Sequence, residues 1–269
     1  MNLELTDQVA VVVGAASGIG RAIAQAFADE GAHVALLDRA SAVTDVASEI
    51  ALGATGRIRA LVADVVDYAA MQQAAATLEN ELGAVAHVVF TVGIGSGKTG
   101  FPFWNLQPQD WPRVLAVNLQ GAVNTAHAFI PPMLARRRGD LLFLSSVAGQ
   151  IGSQTDPPYS ASKAALINFA QCAAKDLAPY NIRVNTLNPG MVETPLNHSI
   201  WAAYCRTLPL EQRPTFEEWG AEKIKRVVPL NRWQQPEDIA AMAVFLASAR
   251  ANNITGQTMN VDGGFVMHW

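Results

Sequence analysis

"VAVVVGAASGIGRAIAQAFADEG", residues 9–31, is the stretch on which the architecture turns. Its first five residues are a continuous apolar, β-branched run, which suits a strand buried on both faces of a parallel sheet. Glycines follow at 14, 18 and 20, while Ile19, Ile23 and Phe27 recur at helical spacing until Gly31, a natural helix stop. Glycine lets a backbone turn tightly and approach a ligand closely, and the free N–H groups at a helix start attract a pyrophosphate. The next apolar run, "HVALLD" (33–38), ends on Asp38.

The alternation continues to the end of the chain. "RALVAD" (59–64) is followed by a helix through "YAAMQQAAATLENELG", "AHVVFTVG" (86–93) by a helix around 109–135, and "DLLFLSS" (140–146) by a helix opening at "PPYSASK". "IRVNTLNPG" (182–190), a helix through "PEDIAAMAVFLAS" and "TMNVDGG" (258–264) complete it. This order specifies an open, doubly wound α/β sheet of the Rossmann type, parallel and with helices on both faces, whose ligands bind beyond the carboxyl ends of the strands. Residues 195–232 break the rhythm with Trp201, Tyr204, Trp219 and scattered charges. Long excursions of this kind in compact domains are often lids, and "EEWGAEKIKRVV" within it reads as a helix.

Half of the 269 residues are apolar, 16% are charged and the formal net charge is −4. One catalytic domain spanning 1–269 accommodates this length with a sizeable core. No basic stripe of the kind that nucleic-acid binders carry is present, and Arg136-Arg137-Arg138 sits where a helix would end, complementing its dipole. Cys172 and Cys205 are too few and too far apart for a metal cluster or a disulfide framework, so no metal is expected, and Cys172 reads as a small core residue. The opening "MNLELTDQVAVVVG" has no signal-peptide layout and no uncharged apolar segment reaches membrane-spanning length, so a soluble, cytoplasmic protein is expected, with no membrane partner.

Two features carry chemistry. Asp38 stands 18 residues beyond Gly20, where a carboxylate can accept hydrogen bonds from an adenosine ribose and repel a 2′-phosphate. NAD is therefore expected over NADP, with Arg39 as the counter-signal, because a guanidinium could receive that phosphate. The second feature is "PPYSASKAALINF" (157–169), which puts Tyr159 four residues before Lys163, on one face of a helix and one turn apart.

With these motifs the sequence resembles the short-chain dehydrogenase/reductase family over nearly its whole length. The family's TGxxxGxG is here "VGAASGIG"; its Asp-Val pair is Asp64-Val65; its helix asparagine is Asn118 in "VNLQG". Its serine matches Ser146 in "FLSSVAG", YxxxK is "YSASK", and its Pro-Gly turn is "NPGMVETP". The resemblance implies that Tyr159 is the acid/base, with Lys163 and an oxidised nicotinamide lowering its proton affinity from the free value of about 10. Lys163 would also hold the nicotinamide ribose. Ser146, preferred to its neighbour Ser145 by its spacing to Tyr159, would orient the reacting oxygen, and Asn118 would support a water chain. Gly14, Ser17, Gly18, Ile19, Gly20 and Gly93 would line the cofactor, Asp64 and Val65 its adenine end, and Pro189, Gly190, Val192 and Thr194 its carboxamide and pyrophosphate.

Two positions depart from the family pattern. Val13 replaces the usual threonine before the first glycine, and Phe90-Thr91-Val92-Gly93 replaces Asn-Asn-Ala-Gly. The pair reads as a coupled apolar repacking, since replacing both partners of a buried polar contact can be nearly neutral.

The substrate side is expected to use "GIGSGKTGFPFW" (93–104), the segment after Ser146 and the lid, with Gln150, Gln154, Asp156, Asn197 and His198 as polar groups and Trp201 and Phe103 as flat apolar ones. Polar donors beside an aromatic face suit a sugar or polyol. A hydrophobic ketone or a 3-oxoacyl thioester with NADPH is the alternative, and a non-enzymatic dinucleotide sensor a third. Family resemblance also implies a homotetramer, and Trp269 is expected to pack at a subunit interface.

Overall fold

The computed structural model describes residues 2–153 and 155–267. Seven strands form one parallel sheet in the order β3-β2-β1-β4-β5-β6-β7. They are β1 (Val9–Val13), β2 (His33–Asp38), β3 (Ile58–Val62), β4 (Val85–Phe90), β5 (Gly139–Leu144), β6 (Ile182–Pro189) and β7 (Thr258–Val261). The chain runs outward from β1 to β3, then returns past β1 to start β4, so the crevice between β1 and β4 is the topological switch point.

The continuous apolar run of β1 is explained by what covers it. Val9, Val11 and Val13 enter a core shared with α3 (Tyr68–Leu82), α5 (Gly121–Arg136) and α6 (Pro157–Leu177). Ala10 and Val12 enter the opposite core, shared with α1 (Gly18–Asp29), α2 (Val43–Ala51) and α9 (Pro236–Ala247). Helix α2 is an addition to the sequence reading. Its Val43, Val46, Ala47 and Ile50 are buried at helical spacing, but nine residues between two strands give too short a window for the period to stand out.

The predicted helix around 109–135 is three pieces: the short α4 (Pro112–Leu115), a π-helical turn over Ala116–Gln120, and α5. Helix α5 ends at Arg136, with Arg137 in the left-handed region at φ 53°, as the arginine cluster implies. Cys172 lies on the exposed side of α6, contrary to the expectation of a core position: the inward stripe of that helix falls on Leu166, Ala170, Ala174 and Leu177.

The 195–232 excursion holds α7 (Pro195–Cys205) and α8 (Phe216–Val227) with an apolar centre of its own, Met191, Ile224 and Val228 packed with Val227 and Trp233. Thr215 and Glu218 form a capping box at the start of α8, which fixes the helix predicted there. No helix among the described residues is long and apolar enough to cross a membrane.

Candidate active site

The carboxyl ends of β1, β4, β5 and β6 deliver the residues of interest to one crevice. At β1 the chain enters the glycine turn with Gly14 at φ +93° and Gly18 at φ +54°, conformations that side chains rarely adopt. A Cβ on Gly20 would lie 2.1 Å from the Gly14 carbonyl oxygen, so only glycine permits this crossing. Ser17 caps α1 with extended backbone and no side-chain hydrogen bond, and the N–H groups of the first turn face the turn uncapped by a side chain. Such a cradle fits a pyrophosphate. Thr194, which precedes α7, packs its methyl group at the spot opposite Gly18, 3.5 Å from where a Cβ would be, so the 195–232 excursion begins against the cradle.

Asp38 is fastened by two amides: Ala16 N–H donates to Oδ2 (3.1 Å) and Ala40 N–H to Oδ1 (3.0 Å). The first bond ties the glycine turn to the end of β2. Beside it Arg39 and Asp64, with Ala40, Val62 and Ala63, line an open cleft of about 630 Å³. Val65 is buried against Gly121, where a Cβ would come within 2.6 Å of it.

The family's missing threonine is replaced from the other side. Thr91 Oγ1, at the end of β4, donates to the Val13 carbonyl (2.8 Å) and lies 3.1 Å from that of Gly14. The expected apolar repacking is thus corrected: the polar tie between β1 and β4 is kept with its hydroxyl moved to the partner strand, because the vacant acceptors are backbone carbonyls that any neighbouring donor can serve.

Tyr159 and Lys163 share a face of α6, as their spacing dictates. Lys163 is 2% exposed, donates from Nζ to the Leu144 carbonyl (2.7 Å), and lies 5.6 Å from the centroid of the Tyr159 ring. Gly93 leaves it room, since a Cβ there would stand 3.1 Å from Nζ. Ser146 stands two residues beyond β5 with its Oγ accepting from Ala148 N–H (3.1 Å) and favours the ionised Tyr159 phenol, while Ser145 turns inward and donates to the Lys163 carbonyl (2.7 Å). Asn118, fully buried in the π-helical turn, is committed to structure. Its Oδ1 accepts from Ile94 N–H (2.8 Å), and its Nδ2 donates to the Ile94 carbonyl (2.9 Å) and to Ser162 Oγ (2.9 Å). Ser162, which in turn donates to the Tyr159 carbonyl (2.7 Å), was missed in the sequence although it lies inside "YSASK".

Electrostatics differ from the expectation. Burial pushes the Tyr159 phenol up to about 12, with the Ser146 hydroxyl opposing the rise and the Asp156 charge adding to it. The same burial pushes Lys163 down to about 7, so much of its charge is absent at neutrality. In the chain alone, Tyr159 is a proton donor and not a ready base.

The proposed substrate contacts divide. Gln150 follows Ser146 and its Oε1 accepts from Asn260 Nδ2 (2.9 Å), which anchors it to β7. His198 and Trp201 pack within the 195–232 excursion itself: the His198 ring stacks on Phe216 at 3.7 Å and Trp201 donates its indole N–H to the Pro214 carbonyl (3.0 Å). Gln154 and Trp269 lie outside the described residues.

A doubly wound parallel sheet, a glycine cradle at its switch point and a Ser-Tyr-Lys cluster beside it define an oxidoreductase of the dinucleotide-binding fold. The chain belongs to the short-chain dehydrogenase/reductase family: the family model described as enoyl-(acyl carrier protein) reductase matches residues 14–266. Galactitol 2-dehydrogenase (L-tagatose-forming) of Cereibacter sphaeroides is 37% identical over 98% of this chain and 96% of its own length. A 3-oxoacyl-acyl-carrier-protein reductase of Thermotoga maritima is 33% identical over 98% of this chain and all of its own. The crystal structure of L-sorbose reductase from Gluconobacter frateurii, complexed with NADPH and L-sorbose, superposes with a TM-score of 0.90 at 28% identity, each chain covered in full. The relatives are dehydrogenases and reductases, and the chain is an alcohol dehydrogenase or carbonyl reductase of this family.

Proposed function

We propose that the chain is an NAD-dependent dehydrogenase interconverting a secondary alcohol and a ketone, or a lactol and a lactone, on a sugar or polyol. Asp38 carries the cofactor reading. Held by the Ala16 and Ala40 amides at the end of β2, its carboxylate would accept the ribose hydroxyls and repel a 2′-phosphate. Gly14, Ser17, Gly18, Ile19 and Gly20 would hold the pyrophosphate, Asp64 and Val65 the adenine end, and Gly93, Pro189, Gly190, Val192 and Thr194 the nicotinamide end. When bound, the dinucleotide supplies the hydride acceptor or donor and, in its oxidised form, a positive charge.

The remaining work falls to the chain. Tyr159 exchanges the proton at its phenol oxygen with the substrate oxygen, which Ser146 orients by a hydrogen bond. Lys163, fixed on the Leu144 carbonyl, positions the ribose and lends the phenolate whatever charge it retains. Asn118 holds the β4 loop and the Tyr159 turn through Ile94 and Ser162. Residues 195–232 close over the substrate as a lid. The polyol reading draws on the galactitol and sorbose enzymes and on the polar Gln150 behind Ser146. The assembly is a homotetramer in which α5 and α6 pair with their symmetry mates.

A second reading, NADPH-dependent reduction of a 3-oxoacyl thioester or hydrophobic ketone, is favoured by the Thermotoga relative and by Phe101, Phe103 and Trp104, exposed on the β4 loop. Reduced-nicotinamide absorbance with NAD and NADP against polyols, sugars, secondary alcohols and 3-hydroxyacyl thioesters separates the two. NAD-linked polyol oxidation is expected; activity confined to NADP and thioesters overturns the proposal. Tyr159→Phe should retain cofactor binding and lose about 10³-fold in turnover.

A further inference from the structure

The loop after β4 lies between the catalytic helix and the lid, and it is stitched to both. Gly100 N–H donates to the Thr155 carbonyl (2.8 Å), and Arg206 of the segment after α7 donates to the Gly97 carbonyl (3.2 Å). The central fastening is Asp156, 9% exposed, the N-cap of α6 and three residues before Tyr159. Its Oδ2 accepts from both Ser96 N–H (2.7 Å) and Ser96 Oγ (3.1 Å), and its Oδ1 from Tyr159 N–H (3.4 Å). A Cβ on Gly95 would stand 2.7 Å from Oδ2, so glycine is what allows the loop to reach the carboxylate. The sequence reading offered Asp156 to the substrate; its oxygens are turned to the loop and to the helix backbone instead.

We propose that Asp156 is a positioning residue: its buried carboxylate couples the substrate-side loop to the helix carrying Tyr159. The inference rests on the reading of Tyr159 as the acid/base given above. Burial raises the Asp156 carboxyl, while three hydrogen bonds from Ser96 and the Tyr159 amide favour its ionised form. Of the other charged groups, Lys163 is bonded to the Leu144 carbonyl, Lys98 pairs with Asp110 (2.8 Å) and Arg206 donates to the loop itself at Gly97. A carboxylate buried at the start of the helix disfavours phenolate and so keeps Tyr159 protonated, which raises the pH at which the phenol can take up the proton of an alcohol.

Two measurements on the full chain test this. In Asp156→Asn, amide exchange at Ser96 should quicken at least about tenfold, because a charge-assisted bond is lost. The pH at which alcohol oxidation reaches half its maximum should fall by roughly half a unit, because a nearby negative charge is gone. Asp156→Glu keeps the charge and should leave that midpoint in place while raising KM for the alcohol several-fold. Unchanged exchange in Asp156→Asn, or a profile superimposed on the wild type with only kcat lowered, overturns the proposal. Should that variant fail to fold, Ser96→Ala decides: faster loop exchange and a raised KM with an unmoved midpoint support it, unchanged exchange refutes it. Should the wild type oxidise no alcohol, the functional reading fails, and the exchange result, which needs no substrate, still judges the coupling.

Discussion

Replacing Lys163 by methionine should raise the melting temperature of the cofactor-free chain while abolishing activity. Burial takes the ammonium from 10.5 to about 7. At about 1.4 kcal/mol per pH unit, holding the charge inside costs up to about 5 kcal/mol at or below neutrality. Methionine has similar length and no charge, but it forfeits the bond to the Leu144 carbonyl and leaves that oxygen without this donor, a loss of about 1–2 kcal/mol. The net gain near pH 6 is then roughly 3–4 kcal/mol, or some 6–16 °C in Tm for a chain of this size.

The sign of the pH dependence follows from which state binds the proton. Above about pH 7 the folded amine is neutral while the unfolded one is still charged, so wild-type stability climbs with pH until about 10.5. Methionine has no such gain, and the variant's advantage should shrink by about 1.4 kcal/mol per pH unit above about pH 7, reaching zero between about pH 9 and 10. Lys223, pushed down to about 8 by burial and then by Arg226, tilts both proteins the same way and cancels in the difference. Calorimetric melts of both proteins from pH 6 to about 9.5 without cofactor provide the check. A variant that melts below the wild type at pH 6, or a difference that does not change with pH, would refute the reasoning.

Three further outcomes follow from the cradle and the strands behind it. Gly20→Ala places a methyl 2.1 Å from the Gly14 carbonyl oxygen and 2.5 Å from Thr91 Oγ1, and the backbone atom cannot step aside. Cofactor affinity measured by titration calorimetry should fall at least about 100-fold, with a lowered Tm, and wild-type affinity would show that the crossing is not fixed. Thr91→Val removes the hydroxyl that serves the Val13 carbonyl and should cost about 1 kcal/mol in denaturant melts. Val13→Thr should not stabilise the protein, because its side chain enters an apolar core and the cross-strand acceptor is already served; a clear rise in Tm would contradict this.

What the sequence determined by itself is what is periodic or stereochemically local. Both-face burial of β1 shows in an unbroken apolar run, the turn in glycines that alone tolerate positive φ, and the Tyr159–Lys163 alignment in a four-residue spacing that any helix enforces. Where one period is too short to register, as in α2, local reading fails. The tertiary structure decided the rest. Thr91 serving Val13, Ser162 under Asn118, Asp156 joined to Ser96 and His198 stacked on Phe216 each depend on side chains brought together from 18 to 78 residues apart. The proton affinities of Tyr159 and Lys163 belong with these: the resemblance implied a phenol lowered by Lys163 and an oxidised nicotinamide, whereas in the chain alone burial by surrounding elements raises it, and desolvation is a property of the packed fold that no spacing of residues records.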